Sequence, residues 1–119
     1  MSSFINIKIE IKDEQIDNWL CTAFEGGINY WCDSVEVKDN DYKGTKYASE
    51  CISKGGVIIV NDYPPSNIKV NKSSILQALV CLSNNKYTKV LDRLINGGYD
   101  ADDADVLFQV ACFGRIIYG

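Results

Sequence analysis

The first residues of the chain alternate between isoleucine and polar side chains, as in a strand with one buried face. Every second residue from Ile5 to Ile11 is isoleucine, and the residues between them are polar. Successive side chains of a strand point to opposite faces, so this spacing places all the isoleucines on one side. We therefore predict a strand over residues 5–11.

Three further strands are predicted before the helical C-terminal half. Residues 28–37 alternate with a local shift of phase, and residues 57–60 form a continuous β-branched run typical of a buried strand. Residues 67–70 form a short return strand after a turn at 61–66, where two prolines cannot donate backbone hydrogen bonds. The predicted sheet is therefore small and mainly antiparallel.

Apolar residues at helical spacing predict five helices, two between strands and three in the C-terminal half. They cover about residues 13–24, 45–54, 72–82, 87–96 and 100–113. Glycine pairs follow the first, second and fourth helices, and glycine readily adopts the positive φ at which many helices end. Together these elements predict a single α+β domain over residues 1–119, with helices packed on the sheet.

The corner after the first helix combines a glycine pair with two adjacent aromatic residues. This aromatic corner consists of Glu25, Gly26, Gly27, Tyr30 and Trp31. If Tyr30 and Trp31 lie in a strand, one ring enters the core and the other faces solvent. The outward ring would then offer a platform for a protein or a nucleobase. The alternative is that both rings are buried between sheet and helix.

Four aspartates, Asp100, Asp102, Asp103 and Asp105, open the last helix and form a candidate acidic patch. A helix–loop–helix calcium site needs an oxygen ligand at position five, glycine at six and glutamate at twelve. Counted from Asp100, the chain has alanine, aspartate and alanine there. Capping of free N–H groups at the helix start explains the aspartates without a metal. A partner-binding patch is the alternative, and we expect no metal or cofactor.

Composition narrows the classes of function. The net charge of −4 and the pI near 4.7 argue against direct binding to nucleic acid or an anionic membrane, and they suit a basic partner. The five cysteines form no C-x-x-C pair and histidine is absent, so we expect reduced thiols in the core instead of zinc ligands. Without a long apolar run or a secretion signal, we expect a cytoplasmic protein.

Catalytic groups are scarce in the sequence. Without histidine, a serine or cysteine nucleophile would need a lysine or carboxylate as its base, and no local arrangement singles out such a pair. Glu25 beside Tyr30 is one candidate for a general base. The glycine-rich patterns that bind phosphate are not met. The sequence therefore favours a binding protein over an enzyme.

Three segments of the chain form recognisable motifs. They are Phe-Glu-Gly-Gly-Ile-Asn-Tyr-Trp-Cys at 24–32, Tyr-Ala-Ser-Glu at 47–50 followed by Gly-Gly and an apolar strand, and Phe-Gly-Arg-Ile-Ile-Tyr-Gly at 113–119. Together they resemble a recurring signature of small proteins encoded by bacteriophages and prophages, over almost the whole chain. The resemblance implies a phage setting, in which small accessory proteins often neutralise host defence by binding CRISPR effectors or sequestering nucleotide signals.

The resemblance and the composition lead to three hypotheses of function. The first is a non-enzymatic inhibitor, for example an anti-CRISPR protein, that binds a host defence protein in the bacterial cytoplasm. Its acidic patch would approach a basic nucleic-acid channel, and Tyr30 or Trp31 would anchor it. The alternatives are a sponge for a nucleotide-type immune signal, with a base stacked on the aromatic corner, and a small phage accessory enzyme.

The ends of the chain also predict self-association. The segment 114–119 is too apolar for a free tail, so we expect it to pack on the domain or against a partner. The N-terminal isoleucine row adds apolar surface that a domain of this size does not readily cover alone. We therefore expect a homodimer, formed through the N-terminal strand or the C-terminal segment.

Overall fold

The computed structural model describes residues 1–62, 65–84 and 86–119. This part of the chain contains five α-helices and a three-stranded antiparallel sheet, which confirms the predicted α+β fold. The helices are α1 (Asp13–Thr22), α2 (Ala48–Cys51), α3 (Lys72–Ser83), α4 (Thr88–Asn96) and α5 (Ala101–Phe113). The strands are β1 (Ser34–Val37), β2 (Ile58–Asn61) and β3 (Ile68–Val70). The predicted turn at 61–66 lies partly outside the described residues, because it includes Tyr63 and Pro64.

The sheet has the strand order β1-β2-β3, and both neighbouring pairs are antiparallel. Val60 in the central strand lies opposite Val35 on β1 and Ile68 on β3. Ile58 and Val60 are fully buried, as the β-branched run at 57–60 predicts. β1 and β3 are therefore the edge strands of the sheet.

The predicted strand over residues 28–37 is wrong in its first half. The chain leaves α1 through a π-helical turn, Ala23–Gly27, and then makes a second turn before β1 begins. In that turn the N–H of Cys32 donates to the carbonyl of Ile28 at 2.9 Å. The buried residues Ile28 and Trp31 are three positions apart, so their common direction comes from a helical turn and not from strand alternation.

The predicted N-terminal strand is also wrong. Residues 1–11 form neither strand nor helix, and no backbone hydrogen bond between described residues involves them. Ile5, Ile7 and Ile9 are exposed, from 81% at Ile5 to 56% at Ile9, whereas Ile11 is partly buried against the core. Alternation provides the side-chain pattern of a strand, but a strand also requires a partner backbone for its N–H and C=O groups. Within the described chain, the sheet does not provide that partner.

Helix α5 occupies the centre of the core and packs against α1, α3, α4 and the π-helical turn. Its side chains Leu107 and Phe108 are buried, and burying one such apolar side chain contributes about 1.5–3 kcal/mol to stability. Helix α1 is joined to α4 by Trp19, whose indole Nε1 donates to the carbonyl of Leu94 at 3.1 Å. The π-helical turn that follows α1 packs directly against α5.

Glycine ends α4 as the sequence predicts. Gly97 has a φ of 90°, and its N–H donates to the carbonyl of Arg93 at 2.9 Å. Gly55 has the same role after the 3₁₀ turn that follows α2, with a φ of 95°. The first glycine pair was predicted to end α1 in this way, and that prediction is wrong. Gly26 and Gly27 do not have positive φ, and the chain stays helical through both.

The expectation that the cysteines lie in the core is confirmed fully only for Cys51. Cys51 is buried, the other four cysteines are partly buried, and among the described residues no two cysteines form a disulfide. Within the described ranges, no helix has the length and apolar character that crossing a lipid bilayer requires.

Candidate functional site

The aromatic corner and the acidic patch meet in one place. Asp105 is buried and its two carboxylate oxygens accept hydrogen bonds from different rings. The hydroxyl of Tyr30 donates to one oxygen at 2.5 Å, and the indole Nε1 of Trp31 donates to the other at 2.7 Å. Two segments separated by more than seventy residues therefore form a single candidate site.

Gly27 explains why the two segments can approach so closely. A Cβ atom built on Gly27 would lie 2.7 Å from the carbonyl oxygen of Ala101, at the first turn of α5. Real Cβ atoms do not approach a backbone oxygen at that distance, so a glycine is required here by close contact and not by a positive φ. The contact between Phe24 and Phe108, edge to face at 5.3 Å, fixes the same junction from the core side.

The two adjacent rings point in opposite directions. Trp31 is 5% exposed and Tyr30 is 59% exposed. The prediction that one ring enters the core while the other faces solvent is confirmed, and the alternative with both rings buried is wrong. The cause differs from the predicted one, because the pair lies in a turn and not in a strand.

Gln109 connects the two rings to the end of the chain. Its side chain is fully buried, and the two hydrogens of its Nε2 are shared among three oxygens: Asp105 at 3.0 Å, the Tyr30 hydroxyl at 3.2 Å and the carbonyl of Tyr118 at 3.1 Å. Its Oε1 accepts from the backbone N–H groups of Ile117 and Tyr118, both at 2.9 Å. Sequence reasoning missed Gln109, because a single glutamine in an apolar helix gives no signal of the contacts it makes.

Tyr118 closes the site from the C-terminal side. Its ring stacks on Trp31 with centroids 5.3 Å apart and planes inclined by 4°. Its hydroxyl donates to Asp62 at 2.6 Å, and Ser66 donates to the same carboxylate at 2.6 Å. These hydrogen bonds from Ser66 and Tyr118 hold the pKa of Asp62 below its ordinary value. The C-terminal segment thus packs on its own domain, one of the two outcomes that the sequence predicts.

The other aspartates of the patch have different roles. Asp100 caps α5 by accepting from the N–H of Asp103 at 2.9 Å, which confirms the capping interpretation. Asp103 is 3% exposed and binds Arg93 through two hydrogen bonds of 2.8 and 2.7 Å, and this contact lowers its pKa. Asp102 is exposed on the surface of α5. Among the described residues, no cluster of three carboxylates and thiols is placed to hold a metal ion.

Glu25, the predicted general base, is not among the groups that hydrogen-bond the Tyr30 hydroxyl, which are Asp105, Gln109 and the carbonyl of Tyr118. Glu25 is exposed, as is Gly26. Its carboxylate is hydrogen-bonded to the thiol of Cys21, whose pKa is raised by burial and, secondarily, by Glu25. The carboxylate that meets the Tyr30 hydroxyl belongs to Asp105. Removal of that hydroxyl from water, together with the Asp105 contact, raises the pKa of Tyr30 to about 12.

An open cleft of about 490 Å³ lies beside Tyr30. Tyr30, Tyr87, Tyr118, Asp102 and Asp105 contribute to its wall. Among the described residues that line it, none is a lysine or an arginine. The cleft is therefore aromatic and acidic.

Comparison with protein families, curated proteins and solved structures finds no match to this chain.

Proposed function

We propose that the chain is a phage- or prophage-encoded, non-enzymatic protein that inhibits a host defence protein by binding it stoichiometrically in the bacterial cytoplasm. The observation that carries this proposal is the state of Tyr30. Its ring is largely exposed while its hydroxyl is held by Asp105 and Gln109. A ring fixed before binding loses little side-chain entropy on contact, and such rings are typical anchors of protein interfaces.

The charge around Tyr30 favours a basic partner. Asp102 lines the cleft beside it, and Asp100 is also exposed at the start of α5. The chain as a whole carries a net charge of −4. Acidic surface next to an aromatic anchor suits the nucleic-acid-binding surface of an effector such as a CRISPR nuclease, so the proposal includes anti-CRISPR activity. Buried Asp103 and Asp105 act by holding the site in shape.

The same contacts weigh against the alternative of a small phage accessory enzyme. A general base needs a lone pair that can reach the substrate, whereas Asp105 accepts from Tyr30, Trp31 and Gln109. The raised pKa of Tyr30, about 12, disfavours its action as a base or nucleophile near neutral pH. Asp105 and Tyr30 are therefore better suited to holding a binding surface in shape than to catalysis.

A nucleotide sponge is the second candidate, and the size of the cleft favours it. About 490 Å³ is within the range of small-molecule sites, and the tyrosine rings could stack on a base. Phosphates, however, are normally bound by cationic side chains or free N–H groups, and this wall presents Asp102 and Asp105 instead. The cleft therefore suits a ligand with little negative charge better than a cyclic oligonucleotide.

The proposal is tested in bacterial strains that each carry one defined CRISPR–Cas system and are infected by a phage that the system targets. Expression of the chain should restore plaque formation in at least one strain, and the purified chain should form a stoichiometric complex with that strain's effector. Tyr30→Ala and Asp102→Lys should each weaken the complex about tenfold or more.

Two matched variants control for general damage. Tyr47→Ala removes another exposed tyrosine ring, and Glu36→Lys makes the same change of charge on the exposed face of β1. Both should bind and inhibit like the wild type. The proposal is contradicted if no strain regains plaques and no effector binds. A rise in Tm with cyclic nucleotides, lost in Tyr30→Ala, would instead support the sponge.

A further inference from the structure

The N-terminal segment, residues 1–11, leaves its strand pattern unused within the described chain. Its backbone makes no hydrogen bond to another described backbone group. Ile7 is 74% exposed, and Ile5 and Ile9 are exposed as well. A segment with the side-chain pattern of a strand but no backbone partner either pairs with another backbone or remains a site of association.

The isoleucine row lies beside an incompletely covered apolar surface. Ile7, Ile9 and Ile11 line one side of an open groove of about 380 Å³. The other side is formed by apolar side chains of α3 and α4. On α3, Leu76 and Val80 remain 37% and 61% exposed. Isoleucines and helices together form a continuous apolar patch that a single copy leaves in contact with water.

We propose that the N-terminal segments of two copies of this chain pair as an antiparallel two-stranded ribbon centred on Ile9. The occupant of the patch is thus a second copy, and the pairing covers residues 7–11 of each chain. Both isoleucine rows then lie on one face of the ribbon, over the α3–α4 surfaces. The backbone groups of each segment gain partners, and the exposed apolar side chains gain cover.

The charges of the segment select this register. In an antiparallel pair centred on Ile9, Lys8 of each copy lies opposite Glu10 of the other. An antiparallel pair centred on Lys8 would place the two Lys8 side chains opposite each other. A pair centred on Glu10 would place the two Glu10 side chains opposite each other. A parallel pair in register would oppose both like charges. Registers that would bring an isoleucine opposite a polar residue lose the common apolar face.

The inference is independent of the proposed function, because no residue of the segment belongs to the aromatic corner or the acidic patch. Light scattering on the full chain at 10–100 µM should give twice the chain mass of 13.3 kDa. Lys8→Glu and Glu10→Lys should each raise the dimer Kd about tenfold, since two opposite-charge pairs become two like-charge pairs. Lys46→Glu, an exposed reversal elsewhere, should leave the Kd unchanged.

Two combinations make the test specific to the register. The double variant Lys8→Glu/Glu10→Lys should recover the wild-type Kd. An equimolar mixture of the two single variants should form heterodimers more tightly than either forms homodimers, because opposite charges then face each other. Circular dichroism should show that every variant is folded, as expected for substitutions on exposed residues. A monomer at 100 µM, or a dimer whose Kd ignores these charge reversals, overturns the inference.

Discussion

The indole Nε1 of Trp31 donates to Asp105 at 2.7 Å in a place where both side chains are buried. Trp31 comes from the turn before β1, and Asp105 from the second turn of α5. A buried N–H without an acceptor is costly, so this contact ties the direction of the tryptophan ring to the start of the last helix. It also leaves the second oxygen of Asp105 to hold Tyr30 at the surface.

Removing the Asp105 carboxylate should therefore destabilise the fold. We expect Asp105→Ala to lower the free energy of unfolding by about 2–3 kcal/mol, because the N–H of Trp31 is left buried without an acceptor. Urea denaturation measures this change. Asp102→Ala, on the exposed side of the same helix, should change the free energy by less than about 0.5 kcal/mol. Equal effects of the two substitutions would contradict the assigned role of Asp105.

The two glycines of the aromatic corner should respond differently to alanine. Gly27→Ala places a Cβ against the carbonyl of Ala101, so we expect a loss of about 1–3 kcal/mol of stability. Gly26 has open space around its Cβ position and no positive φ. Gly26→Ala should therefore be neutral or stabilising by up to about 1 kcal/mol. Thermal denaturation of the two variants measures this difference. If Gly27→Ala is as stable as the wild type, the close approach of Gly27 to the Ala101 carbonyl is disproved.

The raised pKa of Tyr30 predicts a stability term that is lost at high pH. The ordinary pKa of tyrosine is 10.0, and in the folded chain that of Tyr30 is about 12. The folded state holds this proton more tightly, so the term is fully present below pH 10 and is lost as the pH rises towards 12. The difference in unfolding free energy between the wild type and Tyr30→Phe should stay constant from pH 7 to 9. Above pH 10, the wild type should lose stability relative to Tyr30→Phe. A difference in unfolding free energy that does not change with pH would refute the raised pKa of Tyr30.

Deleting residues 115–119 should destabilise the domain without changing its association. The deletion removes the ring stacked on Trp31 and both backbone N–H groups bound by Gln109. We expect Tm to fall by about 5–10 °C. Light scattering should give the same oligomeric mass as for the full chain, because the segment packs on its own domain. Arg115→Ala, an exposed change in the same segment, is the control, and a deletion as stable as that variant would argue against the packing role.

Much of the fold could be predicted from the sequence, where local pattern and tertiary packing agree. The helices α3, α4 and α5 and the strand β2 begin and end within about two residues of their predicted bounds. Asn71 caps α3 through a hydrogen bond from Ser74, so even this helix start is locally encoded. For these elements, periodicity and capping point to the same structure.

The failures come from contacts that a local pattern does not contain. The alternation of residues 5–11 is real, but whether a strand forms depends on a partner backbone. At the aromatic corner, the sequence indicated the correct residues and the wrong backbone, because turn spacing and strand spacing overlap over so short a stretch. The link between Asp105 and Tyr30 and the role of Gln109 arise from residues far apart in the chain, which no local spacing reports.

Gly119 contributes to the wall of the cleft beside Tyr30. A residue joined after Gly119 would therefore begin at the wall of that cleft. A purification tag or fluorescent fusion attached there would cover the candidate surface. Even a true partner would then bind weakly in the assay. A label at Lys43 or Gly44, in an exposed loop that does not line the cleft, leaves both that surface and the N-terminal segment free.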